Sequence, residues 1–200
     1  MRKPNSTVVI LVGAVTDAIL AELDTLPNVR AASIRADSSV SEREFVSRAH
    51  TAYLVHDRDP LEAVQHAWVG FFDETAPFGT IEVAVLETRA TLSSEATALP
   101  DYYLVLDPDA LSPTSKHWWF GALASVAPSR VVPCAASAAG VGGALSRLPP
   151  GRWWPEPPDE WLMSLDRYVP DAGLATSVTF VPSASLERTT HTARHRAAEA

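Results

Sequence analysis

Short apolar runs alternating with segments of helical spacing constrain this chain more than any other feature. Thr7–Gly13 (TVVILVG) is rich in β-branched residues and stops at a glycine, so it reads as a strand buried on both faces. Asp17 is placed to cap a helix with apolar positions Ile19, Leu20, Leu23 and Leu26, which Pro27-Asn28 ends. Val29–Ala36 is a second, weaker strand. Ser39 and Glu42 have the spacing of a capping box before a short helix through Ala49, and Thr51–Val55 (TAYLV) is a third strand. Leu61, Val64, Trp68 and Phe71 recur at steps of three, four and three, which predicts an amphipathic helix over 60–73. In Ile81–Leu86 (IEVAVL) the apolar residues fall at period two with β-branched side chains, which predicts a buried strand; a helix continuing through Leu86–Ala98 is the alternative. Tyr102–Leu106 (YYLVL) is a further strand, Ser115–Ala127 a helix capped by Ser115, and Arg130–Ala136 a last strand. Pro133 cannot donate to a ladder and puts that strand at a sheet edge. Alternation of this kind predicts a doubly wound α/β domain with a mainly parallel sheet and helices on both faces. Such sheets bind ligands outside the carboxyl ends of their strands, near the switch point.

Composition removes several classes of function. Lysine supplies only Lys3 and Lys116 of sixteen basic residues, and the net charge is −8, so no basic face for nucleic acid is expected. No apolar run approaches the length of a membrane span. The start MRKPNSTVVILVG lacks a small-residue cleavage site and reads as a strand rather than a signal peptide, which leads to the expectation of a cytoplasmic protein. One cysteine, Cys134, excludes a disulfide framework and a cysteine-built zinc site, and it reads as a small buried hydrophobe. Sixteen prolines and six tryptophans are the oddity of the composition. Many of them gather in PPGRWWPEPPDEWLMSLDRYVP, which divides the chain into an α/β domain over 1–148, a Pro/Trp-rich extension over 149–182 with a short helix at Asp159–Arg167, and a flexible tail over 183–200. Trp118, Trp119, Trp153, Trp154 and Trp161 either staple that extension to the core or form an aromatic face for a planar ligand; the staple is the commoner arrangement.

The loops after the strands are where chemistry belongs. Gly13-Ala14-Val15-Thr16-Asp17 has one glycine and one threonine, and its aspartate competes with a phosphate for the same backbone donors. His56-Asp57-Arg58-Asp59-Pro60 places two carboxylates one residue apart, a spacing that can hold a divalent cation but more commonly marks a solvated loop with Asp59 capping the next helix. Asp107-Pro108-Asp109 repeats it, and no metal site is predicted. Glu87 reads as a surface partner of Arg89. His66 and His117 lack partners at catalytic spacing, and the glycines of Ser137–Gly143 are in the wrong order for a dinucleotide fingerprint, which leaves chain flexibility or close packing as their reading.

Residues 7–137 are similar in the order of their elements to the flavodoxin-like NADPH-dependent FMN reductases. The resemblance rests on AHTAYLV (49–55), the helix ending WVGFFD (68–73), IEVAVLET (81–88) and FGALASVAPSRVVPCAASA (120–138). It implies a flavodoxin-like sheet, FMN and NAD(P)H as cofactors, and a dimer, for which the aromatic extension would be the contact. The positions that match the flavin loops of that family are Gly13 and Thr16, His56 and Asp57, and Thr88 and Arg89, but GAVTD, HDRDP and ETRAT all depart from its motifs. The expectation is therefore a divergent FMN-reductase-like protein with an altered or lost flavin site, acting as a reductase or as a binding or regulatory subunit; no catalytic residue is assigned for it. A second likeness, of Gly79-Thr80-Ile81-Glu82 to the Gly-Thr-x-x-Glu motif of nucleoside deoxyribosyltransferases, implies an N-glycosidic-bond enzyme with Glu82, Asp57 or Asp73 as its carboxylates. There the glutamate falls one residue early.

Overall fold

The computed structural model describes residues 5–35, 42–47, 50–94, 96–149 and 159–168. Its strands are β1 (Thr7–Gly13), β2 (Val29–Ala32), β3 (Tyr53–His56), β4 (Tyr102–Leu106) and β5 (Val131–Cys134). All pair in parallel, in the order β2-β3-β1-β4-β5. Central β1 is lined on both sides, Val9 standing opposite Val55 of β3 and Tyr102 of β4. The flavodoxin order sets the first strand between the second and third; here β3 lies between β2 and β1.

Right-handed crossovers then dictate which face each helix takes. Only the β1-to-β2 connection travels toward the β2 edge, so α1 (Asp17–Leu23) lies alone among the connecting helices on one face. There it packs Ile19, Leu20 and Leu23 on Val9, Leu11 and Leu104 beside α7 (Ala138–Leu145). The later connections travel the other way. They bring α3 (Glu62–Phe72), α4 (Phe78–Ser93) and α5 (Pro113–His117), with the π-helical stretch Trp118–Leu123 and α6 (Ala124–Val126) that continue it, to the opposite face. That core contains Ile10, Val12, Tyr103, Val105, Trp68 and Trp118. The helix α2 (Glu42–Ser47) packs Phe45 and Val46 on Leu54 and Ile34. The doubly wound layering expected from the sequence is what the chain forms.

Several local expectations are corrected. Ile81–Leu86 is not a strand: all of Phe78–Ser93 is helix, with Ile81, Ala84, Val85 and Thr88 buried at steps of three, one and three. The N-cap of α1 is Thr16, whose Oγ1 accepts from Ile19 N (3.3 Å), and Asp17 lies in the first turn. Ser112, not Ser115, caps α5, accepting from Ser115 N (3.1 Å). Of the two readings of the glycines of 137–143, close packing holds and flexibility does not: they form α7. Ser137 caps it, and Gly140 is where a Cβ would lie 2.8 Å from Ala135 O. β5 does stand at the edge. The carbonyls of Arg130, just before β5, and of Cys134 accept from Tyr103 N and Asp107 N of the β4 side, so the backbone groups of the alternate residues Val131 and Pro133 face away from β4.

Contacts define one compact unit over Met1–Pro170. Within it α8 (Asp159–Met163) and a 3₁₀ turn at Leu165–Arg167 bury Trp161, Leu162 and Leu165 in the core of Trp68 and Trp118. Trp68 Nε1 donates to Leu165 O (3.2 Å). Trp161 thus acts as a staple, while Trp153, Trp154 and the expected tail over 183–200 lie outside the described residues.

Candidate functional site

The helices that follow β3 and β4 cover one face of the sheet and α1, which follows β1, covers the other, so the loops part over the end of β1. A cleft of about 580 Å³ opens there. Its floor is Leu11, Val12 and Gly13; its walls are the loop after β3, the outer side of α3, and Leu111, Ser115 and Trp119 from the segment after β4. Gly13 is required at this floor. Its φ is 87°, and a Cβ would stand 2.5 Å from Leu106 O.

Carboxylates outnumber the other ionisable groups of the lining: Asp57, Asp59, Glu62 and Asp73, against Arg35 and His66. Three of them are engaged in holding the walls. Asp57 accepts from Ser33 Oγ (2.5 Å), Ile34 N (2.8 Å) and Arg35 N (3.0 Å), and so shapes the turn after β2. Glu62 pairs with Arg35. Asp73 accepts from Thr114 Oγ1 (2.5 Å), joining the end of α3 to α5.

Asp59 differs. Both of its hydrogen bonds fall on Oδ1, from Leu61 N (2.8 Å) and from the Tyr103 hydroxyl (2.8 Å), and no described residue donates to Oδ2. Burial pushes its carboxyl up to about 6 against the lowering effect of those donors and of Arg35. Tyr103 is fully buried, and burial together with Asp59 holds its hydroxyl well above the usual range, so it donates and does not ionise. A half-buried acid in a cleft, anchored through one oxygen and with its carboxyl raised to about 6, has the properties of a proton carrier. Sequence reasoning saw Asp59 only as one of an acidic pair or as a helix cap. The donor that distinguishes it comes from 44 residues away.

Of the positions matched to flavin loops, Gly13 and Asp57 line the cleft. Thr16 is occupied as the α1 cap. His56 is fully buried behind the cleft, edge-on to Phe45, its Nδ1 accepting from Arg58 N (3.3 Å), and burial lowers it to about 4. Thr88 and Arg89 lie in the middle of α4 rather than in a loop: Thr88 is buried, and Arg89 Nη1 donates to Met163 Sδ (3.4 Å). Glu82 is exposed on α4 and does not line the cleft. His66, read from the sequence as lacking partners, does line it.

These residues do not fit FMN. The phosphate of a flavin nucleotide needs free N–H groups after β1, and that loop is closed by Val15 N on Gly13 O (2.8 Å) and by the Thr16 cap. Asp57, which the resemblance set beside the flavin, is instead engaged by Ser33 Oγ and Ile34 N of the turn after β2. The dianionic phosphate of FMN would also meet a lining with four carboxylates. Among the described residues no group of three or more His, Cys, Asp or Glu is arranged to hold a metal ion, and no helix is long and apolar enough to cross a membrane.

Fold and cleft together define a class: a doubly wound α/β protein with an acidic cleft over the end of its central strand. No family model matches the chain, and neither the curated proteins nor the solved structures compared with it include a match.

Proposed function

We propose that this chain keeps the layered frame of a flavin reductase without the flavin site, and that its cleft performs acid–base chemistry on a small uncharged or cationic molecule. The observation that carries this reading is Asp59: Oδ1 tied to Leu61 N and Tyr103, Oδ2 with no donor among the described residues, and a carboxyl near 6. The cleft volume suits a ligand of nucleoside size. An ionised Asp59 takes a proton from a bound hydroxyl or amine, and the protonated form returns one to a leaving group; Tyr103 keeps the carboxyl oriented through both states.

Carbonyl-region ¹³C NMR on protein labelled at aspartate tests this. One resonance is expected to titrate near pH 6, vanish in Asp59→Asn, and move to higher pH in Tyr103→Phe, because the lost donor favours the charged form. A midpoint near the ordinary 3.8 would remove the proton carrier and the proposal with it. Added FMN is expected to keep its full fluorescence; quenching would return the reductase reading.

The N-glycosidic reading keeps one support, since Asp57 and Asp73 line the same cleft as Asp59 while Glu82 does not. Assay of a nucleoside panel for freed base is its direct test, with activity expected to survive Glu82→Gln and to be lost in Asp59→Asn.

A further inference from the structure

The outer face of α4 is apolar and exposed. Among the described residues the large apolar side chains left in solvent are Phe78, Val83, Leu86, Phe120 and Met163; three of them belong to α4, and Met163 lies on α8, which packs against it. Val83 is 55% exposed and Leu86 58%. They belong to a row, Gly79, Val83, Leu86 and Ala90, spaced four, three and four apart, which is the spacing of a seam between two paired helices. The row lies opposite the face that buries Ile81, Ala84, Val85 and Thr88. At Gly79 nothing stands within 4 Å of where a Cβ would be, so a second backbone can approach there.

We propose that this face pairs with α4 of a second copy of the chain, antiparallel across a two-fold axis. An axis passing between Ala84 and Val85 sets Val83 opposite Leu86 and Gly79 opposite Ala90, so large residues meet at the centre and small ones at the ends. The charges favour self-pairing over a foreign partner. Glu82 and Arg89 share one flank of the row, and the axis that aligns the apolar residues brings each Glu82 beside Arg89 of the other copy, twice over. On the other flank Glu87 comes near Thr80 of the second copy, a hydroxyl it can accept from. The contact is separate from the cleft and does not depend on what binds there.

Sedimentation of the 200-residue chain over a concentration series tests the pairing. The expected result is a shift from the 21.5 kDa monomer toward twice that mass. Leu86→Lys, with its circular dichroism unchanged, is expected to hold the chain monomeric. Glu82→Arg and Arg89→Glu are each expected to weaken the dimer about tenfold, and the double swap to restore it, because it rebuilds the same two pairs with the signs exchanged. A chain that stays monomeric at every concentration overturns the proposal. So does a dimer indifferent to Leu86→Lys, or single swaps that the double swap leaves unrescued.

Discussion

Two titratable groups near the ends of adjacent elements, His56 fully buried and Asp59 half-buried, pull stability in opposite directions. His56 is neutral in the fold down to about pH 4, while the unfolded chain takes up that proton near 6.5, so its contribution falls as pH drops through this window. Asp59 holds a proton in the fold up to about 6, while the unfolded chain releases it near 3.8, so its contribution rises as pH drops through nearly the same window. Between about pH 4 and 6 the two largely cancel. Asp59→Asn removes one of them, and the variant is expected to lose stability on acidification at up to about 1.4 kcal/mol per pH unit relative to the parent. Urea midpoints measured side by side from pH 6.5 to 4 check this, and parallel curves would refute it. None of this was legible in the sequence. The sequence set both His56 and Asp57 in the loop after the third strand, but His56 is the last residue of β3, and adjacent residues at a strand end face opposite ways. His56 went to the interior and Asp57 to the cleft, and the reach of Tyr103 from β4 across β1 to the loop after β3 has no local signature.

Elements were read well where one periodicity stood alone. Thr7–Gly13, Tyr102–Leu106 and the helix with Val64 and Trp68 each show a single buried pattern, and each formed. The failure at Ile81–Leu86 has a physical origin. Ile81, Ala84, Val85 and Thr88 do carry the helical spacing, but Val83 and Leu86 are apolar without being buried, and their presence completes a strand-like alternation. Apolar residues left in solvent therefore disguised the element that carries them. The caps of α1 and α5 were also displaced, by one and three residues, because several adjacent side chains can cap and only the backbone angles choose among them. At α1 the choice is testable. Thr16→Ala is expected to cost about 1 kcal/mol by removing the bond to Ile19 N, whereas Asp17→Asn, which alters only a charge in the first turn, costs a few tenths. Denaturant melts of the two variants would show the reverse order if Asp17 were the cap.

At the scale of the whole molecule, the Pro/Trp-rich composition turned out to include part of the core. Trp161, Leu162 and Leu165 close the layer over Trp68 and Trp118, and at roughly 2 kcal/mol for each buried side chain they contribute about 6 kcal/mol, comparable to the net stability of many domains. A chain ended after Leu148 is expected to lose its cooperative thermal transition and to bind a hydrophobic dye. One ended after Pro170 should keep the parent transition; equal melting of both would show the 159–168 segment to be an ornament. The outward turn of Pro133 has a consequence of another kind. A sheet grows by recruiting an extended segment onto an edge, and on the β5 side the incoming strand would find no donor at that position. The remaining edge, β2, is four residues long. Partly unfolded neighbours in a crowded solution thus have little template from which to start a fibril, even though the sheet between those two edges is among the most β-prone sequence in the chain.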